Sequence, residues 1–430
     1  MLGVGSGGPT GPWLAAAAEP PTTAVNVTPR TGSASRRPRL TERQAWAVLT
    51  AVDGLGPVGF GALLREFGSA LGILETALEA GAVARLVAAG VNDDRDTFDA
   101  GVARSIVAVA ESPLPTLRRV EVPGVEIITT EDRAYPRRLL SIELPPHVLF
   151  VRGAVEAMST PHAVAVVGTR RPTEEGRALA ARIGGALGEV GATVVSGLAV
   201  GIDGASHAAA MAQGGPTVAV LGSGHSRLYP RAHARLADRI VAEGGAVVSE
   251  LVPDVHPSAH SFPRRNRLIS GLADATVVVE AGSRSGALIT AGWALEQGRA
   301  LFMVPGAIDA PQSAGCLQWL HQYPGQARLV PSVPQLVHDL GVLDDPAAGR
   351  RPSLKAELVE LGTTARAVAL ELVGGRGTVD ELVAATGHSV ATALGALTIL
   401  EMRGLATSAY GRYRPAGRLA AAADEVLRRR

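Results

Sequence analysis

The sequence contains very little cysteine, lysine or aromatic residue. Cys316 is the only cysteine, which excludes an internal disulfide and a zinc site built from cysteine pairs. Lys355 is the only lysine, so every other permanent cation is an arginine, whose planar guanidinium binds phosphate oxygens through paired N–H groups. Aromatic residues make up 3% of the chain, so the core must be built from aliphatic side chains, as in buried parallel sheets.

Neither sign of charge dominates, because 41 basic residues stand against 40 acidic ones. Any affinity for nucleic acid must therefore come from a local patch of arginines. The chain has no apolar run of membrane-spanning length, and its first residues lack the basic start and apolar core of an export signal. We expect no contact with a membrane and a cytoplasmic location.

The 430 residues divide into segments of different composition. The first 39 are rich in Gly, Pro, Ala, Ser and Thr without periodicity, which predicts disorder. A helical pattern follows, then alternating strand and helix patterns, and a second helical pattern near the end. The predicted segments are disordered at 1–39, helical at 40–112, α/β at 113–338, a linker at 339–364, winged-helix at 365–418 and a tail at 419–430.

The middle of the chain predicts an extended, Rossmann-like, doubly wound sheet of mostly parallel strands. Several strands are unbroken β-branched runs, as expected where helices cover both faces of a sheet. The predicted strands are Val125–Thr129, Val148–Val151, Ala163–Val167, Ala192–Ser196, Thr217–Leu221, Ala246–Ser249, Thr276–Glu280 and Ala300–Val304. The predicted helices are Thr173–Val190, Gly204–Gln213, Arg231–Glu243, Arg265–Ala273 and Leu288–Gln297.

The helical segment begins with Thr41 and Gln44, a spacing typical of a capping box. The turn Gly54-Leu-Gly-Pro57 lies between two apolar helices and resembles a helix-hairpin-helix or SAM-like module. In a helix-hairpin-helix the glycines let backbone N–H groups approach a DNA phosphate. A helical packing module without DNA contact fits the same residues equally well, so the role of the segment stays open.

The predicted winged helix combines Ala365–Val373, Thr378–Thr386 and Ser389–Arg403 with a hairpin at 405–414. In modules that read duplex DNA, the recognition helix contacts bases and phosphates. Here that helix carries no lysine or arginine before Arg403, which disfavours a transcription regulator and favours protein binding.

Several strand-to-helix turns contain residues that suit a phosphate. Gly168, Thr169 and Arg170 follow one strand, and a helix starting near Pro172 offers free N–H groups and a favourable dipole. The pattern is not Gly-x-Gly-x-x-Gly, and Ser196-Gly197 occupy the place of the acidic residue that would hold a ribose. A dinucleotide is therefore disfavoured, and we expect no cofactor.

The second turn contains Ser196, Gly197 and Gly201, whose glycines let the backbone come close to a ligand. Asp203 is a predicted N-cap. His207 is interpreted as a structural histidine, because no nucleophile stands at a spacing that suggests a catalytic triad.

The remaining turns are Gly222-Ser-Gly224, the cluster Ser261–Ser270 and the turn Glu280–Gly286. The cluster places an aromatic ring that can stack on a base among arginines that can bind phosphate. Glu280 fits catalysis, or the fixing of Arg267 or a neighbouring loop, equally well. Because the carboxyl ends of parallel strands share one edge, these turns predict a continuous track for unpaired polynucleotide.

The motifs resemble those of the DNA-processing protein family DprA, also called Smf, between about Tyr135 and Val330. The helical front module and the winged helix fit as well, although these parts vary within the family. The motifs are Val167-Gly-Thr-Arg170, Ser196-Gly-Leu-Ala199, Gly201-Ile-Asp203, Tyr229-Pro230, Ser249-Glu250, Phe262–Gly271, Glu280, Ser285-Gly286, Thr290-Ala291 and Val304-Pro-Gly306.

The resemblance implies a non-enzymatic homodimer that binds single-stranded DNA, protects incoming strands and loads the RecA recombinase during natural transformation. It implies that Phe262 stacks on a base, that nearby arginines hold phosphates, and that Asn266 orients a loop or a base edge. The predicted DNA-binding residues are Gly168, Thr169, Arg170, Ser196, Gly197, Phe262, Arg264, Arg265, Asn266, Arg267, Ser285 and Gly286.

The chain departs from the family pattern at a few positions. Val200 stands where relatives often carry a basic residue, and Ser206 replaces the usual alanine. Residues 315–324 differ from the family's self-association region, which leaves the dimer and the RecA contact open. The alternative function is a nucleotide hydrolase or phosphoribohydrolase, whose Pro-Gly-Gly-x-Gly-Thr-x-x-Glu loop this sequence lacks.

Overall fold

The computed structural model describes residues 40–90, 98–341, 358–359, 361–409, 411–416 and 419. The segment predicted to be disordered, 1–39, lies outside the described residues, as do most of the predicted linker and all but one residue of the predicted tail.

The helical module, which we define as residues 40–120, begins with the capping box predicted at Thr41 and Gln44. Its last helix was not predicted from the sequence, because Pro113 and Pro115 are poor helix formers in general. Both lie in the first turn, where the missing N–H groups have no helical partner to lose. The helices are Glu42–Thr50 (α1), Pro57–Phe67 (α2), Ala70–Thr76 (α3), Ala82–Gly90 (α4), Ala100–Glu111 (α5) and Pro113–Val120 (α6).

A nine-stranded, mostly parallel sheet follows, with the strand order β1-β2-β6-β5-β4-β3-β7-β8-β9. Only the β1–β2 and β2–β6 pairs are antiparallel. The predicted strands are confirmed within one or two residues at their ends, whereas the short edge strand β9 was not predicted. The strands are Glu126–Thr129 (β1), Val148–Gly153 (β2), Ala163–Val167 (β3), Thr193–Ser196 (β4), Thr217–Val220 (β5), Ala246–Ser249 (β6), Ala275–Val278 (β7), Ala300–Met303 (β8) and Ala327–Leu329 (β9).

Helices cover both faces of the sheet, as its fully buried strands predicted. Alternate residues of β3 enter two cores, with Ala165 in one and Val164 and Val166 in the other. The helices are Arg137–Leu140 (α7), Glu174–Glu189 (α8), Ile202–Ala212 (α9), Ala234–Ala242 (α10), Ser261–Gly271 (α11), Ala287–Glu296 (α12), Ala314–Gln322 (α13) and Val333–Asp339 (α14). Short 3-10 turns occur at Val155–Ser159, His225–Arg227 and Arg231–His233.

The predicted winged-helix order is confirmed near the end of the chain. Its elements are Thr363–Val373 (α15), Val379–Thr386 (α16), Val390–Met402 (α17) and the hairpin Ala406–Ala409 (β10) with Arg412–Pro415 (β11). Among the described residues, no single helix is long and apolar enough for a membrane crossing, and α16 with α17 meets that test only as a pair bent by 110°.

Candidate nucleic-acid interface

The arginine-rich cluster divides into an exposed part and a buried part because α11 enters the protein after one turn. The helix begins at Ser261, four residues before its predicted start. Phe262 is half-buried and Arg264 exposed in the first turn, whereas Arg265 and Arg267 are only 5% and 4% exposed. Neighbouring residues of the linear motif therefore have different environments.

Arg170, Phe262 and Tyr229 form the exposed centre of the site, which we call the aromatic pocket. The Arg170 guanidinium carbon lies 5.3 Å from the centroid of the Phe262 ring, within the range of a cation–π contact. The Tyr229 ring lies 5.6 Å from the Phe262 ring, tilted by 57°, and Tyr229 is 44% exposed. The pocket thus combines two partly exposed aromatic rings with an exposed cation.

Arg265 does not present its charge at this surface. Its guanidinium donates to the carbonyl of Gly197 at 2.9 Å and to that of Val220, which links the ends of two neighbouring strands. Burial lowers the pKa of Arg265 to about 10, opposed by the carboxylate of Asp203 and assisted by the like charge of Arg170. Arg265 therefore braces the site from inside the protein. Its buried position contradicts the prediction that it contacts a phosphate.

Asp203 is the buried partner of that cation rather than the predicted N-cap. Helix α9 has Gly201 at its N-cap, and the Asp203 carboxylate instead accepts from the backbone N–H of Gly197 at 3.1 Å and of Ala199 at 3.4 Å. Burial raises the pKa of Asp203, while Arg265 and these N–H groups act against that increase.

The buried side chains of Arg265 and Asp203 come close to Gly197. A Cβ at this position would lie 2.7 Å from Nη2 of Arg265 and 2.9 Å from the Asp203 carboxylate. The close approach that the sequence predicted for a ligand is therefore made by the two internal charges.

Arg267 is likewise internal, because it forms a buried ion pair with Glu250, which directly follows β6. The same carboxylate lies 3.5 Å from Nε of Arg264. Glu250 therefore holds Arg267 in the interior and leaves most of Arg264 exposed. The position of Glu250 directly after a buried strand was the feature of the sequence that could have identified it as the partner of Arg267.

Glu280 occupies the anion site that the sequence predicted at the start of α8. Its carboxylate accepts from the backbone N–H of Thr173 at 2.9 Å and from the Thr173 hydroxyl at 2.6 Å. This contact lies at the crevice between β3 and β7, where the strand order reverses and where ligands of such sheets usually bind. Glu280 thus fixes a neighbouring loop, the segment at Thr173 that starts α8.

Three further predicted residues form the border of the site. The Asn266 amide donates to the carbonyl of Gly286 at 3.2 Å, so it ties α11 to the turn before α12. Within that turn, the Ser285 hydroxyl accepts from the N–H of Ala287 at 3.3 Å. The exposed Gly286 leaves the turn accessible.

The remaining predicted residues are largely used inside the protein. The fully buried Ser196 donates to the carbonyl of Val166 at 2.6 Å. The Thr169 N–H donates to the carbonyl of Glu280 at 2.7 Å. Gly168 and Thr169 are half-buried, and the next two residues, Arg170 and Arg171, are exposed.

His207 and Cys316 are buried away from the aromatic pocket. The Thr217 hydroxyl donates to the carbonyl of Val194, so Nδ1 of His207 donates to that hydroxyl at 2.6 Å. Burial lowers the pKa of His207 to about 3 and raises that of Cys316 to about 11. The interpretation of His207 as structural is confirmed by its full burial.

The structure therefore gathers Arg170, Phe262 and Arg264 at one edge of the sheet and moves Arg265 and Arg267 inside. Tyr229 is the pocket residue that reasoning from the residues missed, although its place among the family motifs was a signal. Among the described residues, no cluster of three or more His, Cys, Asp or Glu side chains could hold a metal ion.

Comparisons with known proteins agree with this architecture. The model of the family DNA recombination-mediator protein A matches residues 126–341, and that of the DprA winged helix domain matches 358–412. Protein Smf of Escherichia coli is 45% identical over 196 residues, which are 46% of this chain and 52% of that protein. The chain therefore matches about half the length of that relative.

Two further proteins resemble more of the chain. DNA processing protein DprA of Bacillus subtilis is 38% identical over 229 residues, which are 53% of this chain and 77% of that protein. The X-ray structure of DNA processing protein A from Streptococcus pneumoniae superposes with a TM-score of 0.57 and 29% identity, covering 70% of this chain and 98% of that one.

Proposed function

The chain belongs to the DNA recombination-mediator protein A family, and we propose that it binds single-stranded DNA at the aromatic pocket without a catalytic step. The contact between Arg170 and Phe262 carries the proposal. A guanidinium can bind a phosphate, and the partly exposed aromatic ring beside it can stack on an unpaired base.

The surroundings of the pocket support a track longer than one nucleotide. Arg171 in the turn after β3, Arg264 in the first turn of α11 and Arg284 in the turn before α12 are exposed, and each can neutralise a phosphate. A duplex keeps its bases stacked on one another, so it cannot offer a base to Phe262 without unstacking. The pocket therefore favours a single strand.

The later steps of the proposal rest on family membership. The bound strand is protected during natural transformation and passed to RecA in the cytoplasm, and two copies of the chain act together. Exposed apolar side chains in the part of the chain after β7 support self-association, namely Ile289, Ile308 and Leu329.

The test is an anisotropy titration of labelled oligo-dT and of duplex of equal length, with a nucleoside monophosphate and NAD as competitors. We expect tight oligo-dT binding that weakens with salt and is not displaced by either competitor. Equal affinity for duplex would contradict the proposal, and turnover of a nucleotide would favour the hydrolase instead.

The recombinase step has its own assay. RecA filament formation on oligo-dT covered by single-strand-binding protein should accelerate with the wild type and not with Phe262→Ala. Equal acceleration by both proteins would separate RecA loading from the aromatic pocket.

A further inference from the structure

The helical module holds the loop that follows β6 and leads into α11. Val252 of this loop is buried in the same core as Trp46 and Val120, and Val255 packs against that core. Arg119 of α6 binds Asp254 in the same loop through two bonds, Nε to Oδ2 at 2.8 Å and Nη2 to Oδ1 at 3.3 Å. The loop is thus fixed by apolar burial and by a bidentate ion pair.

The same loop carries the turn at 222–226. The N–H of Gly224 donates to the carbonyl of Val255 at 2.9 Å, and that of Ser226 donates to the carbonyl of Pro253 at 2.8 Å. A Cβ on Gly224 would lie 2.2 Å from the carbonyl oxygen of Val252, so only glycine fits between the two segments. Hydrogen bonds and close packing therefore join the turn to the loop.

The turn at 222–226 in turn supports the aromatic pocket. The Phe262 ring lies against Gly222, where an added Cβ would be 2.6 Å from the ring. The Ser261 hydroxyl donates to the carbonyl of Gly222 at 2.5 Å, which fixes the start of α11. A continuous series of contacts thus runs from α6 to Phe262.

We propose that the helical module positions the aromatic pocket, with Arg119 and Asp254 as positioning residues for nucleotide binding. The inference rests on the proposed function of that pocket. It also gives the helical module a role that requires no DNA contact of its own, because Arg119 acts through the loop and the turn.

The test compares Arg119→Ala with Arg43→Ala. Arg43 pairs with Asp132 and also joins the helical module to the sheet domain, but at the turn after β1 rather than at the loop after β6. We expect Arg119→Ala to weaken oligo-dT binding about fivefold, as for residues coupled through one network, and Arg43→Ala to bind like the wild type.

Three readouts separate positioning from direct contact. The salt dependence should stay that of the wild type in Arg119→Ala, because no phosphate contact is removed. In a Phe262→Ala background, Arg119→Ala should cause no further loss, and the exchange Arg119→Asp with Asp254→Arg should restore binding. A shallower salt dependence, additive losses or wild-type binding by Arg119→Ala would overturn the inference.

A measurement without DNA keeps this test separate from the proposed function. The difference in fluorescence between a Phe262→Trp protein and its parent with Phe262, which removes the signal of the chain's own four tryptophans, should change when Arg119→Ala is added to both and not when Arg43→Ala is added to both. An unchanged spectrum overturns the positioning role, whereas failure of the wild type to bind oligo-dT overturns only the function. If Arg119→Ala does not fold, Asp254→Asn replaces it in each comparison.

Discussion

The guanidinium of Arg170 lies over the ring of Phe262, 5.3 Å from its centroid, although 92 positions separate them in the sequence. The turn after β3 supplies the cation and the first turn of α11 supplies the ring. The two side chains are therefore positioned independently by separate elements of the sheet domain, and each can be changed without altering the other's backbone.

Replacing Phe262 with alanine should weaken oligo-dT binding by about 1–3 kcal/mol, the usual loss for one stacked base. Titration by fluorescence anisotropy measures the change. Phe262→Trp is the matched control, because it keeps an aromatic face and should bind within a few fold of the wild type. Equal affinity of the alanine variant and the wild type would show that Phe262 stacks on no base.

Replacing Arg170 with alanine should weaken binding and reduce the slope of log affinity against log salt by about 0.7, the value for one phosphate on a single strand. Titrations at several salt concentrations measure that slope. Arg239→Ala is the control, since Arg239 pairs with Glu243 in the last turn of α10. If both variants keep the wild-type slope, Arg170 contacts no phosphate.

Replacing Arg265 with methionine should destabilise the fold by about 3–5 kcal/mol, because the buried carbonyls of Gly197 and Val220 lose their donor and the nearby Asp203 carboxylate loses a compensating cation. Urea denaturation measures the loss. Arg264→Met is the control and should stay close to wild-type stability, because Arg264 is exposed. Unchanged stability of Arg265→Met would contradict the bracing role.

The loss of folding stability caused by Arg265→Met should also depend on pH. The pKa of Asp203 is already raised above its ordinary 3.8 by burial, and loss of Arg265 raises it further. The folded variant then binds a proton at Asp203 more tightly than the unfolded chain does, so this group adds stability as pH falls from 7 towards 4 and the loss relative to the wild type becomes smaller. A deficit that stays constant over this range would contradict the pairing of the two charges.

His207 predicts a second pH dependence of stability. Its pKa is lowered by burial from 6.5 to about 3 in the folded protein, so the unfolded chain takes up the proton first as pH falls. This group should cost about 2 kcal/mol of stability between pH 6.5 and pH 5. His207→Asn keeps a donor for Thr217 and should lose that part of the pH dependence, which urea denaturation at the two pH values measures.

Periodicity and residue type were sufficient to predict most of the elements. The β-branched runs gave the central strands, and Thr41 with Gln44 gave the first helix start, because both signals are local. Edge strand β9 has three residues and α6 starts with two prolines in its first turn, so neither produced a readable pattern. The predicted start of α11 is four residues too late, because Pro263, a poor helix former, lies in its first turn.

The sequence by itself determined which residues could serve a nucleic-acid site, because arginine, phenylalanine and glycine at strand ends have fixed chemistry. Only the tertiary structure decided which of them do. Arg264 and Arg265 are adjacent and chemically identical, yet one faces water and the other faces Asp203, since α11 leaves the surface after one turn. Burial and long-range partners such as Glu250 arise from packing, which no local pattern encodes.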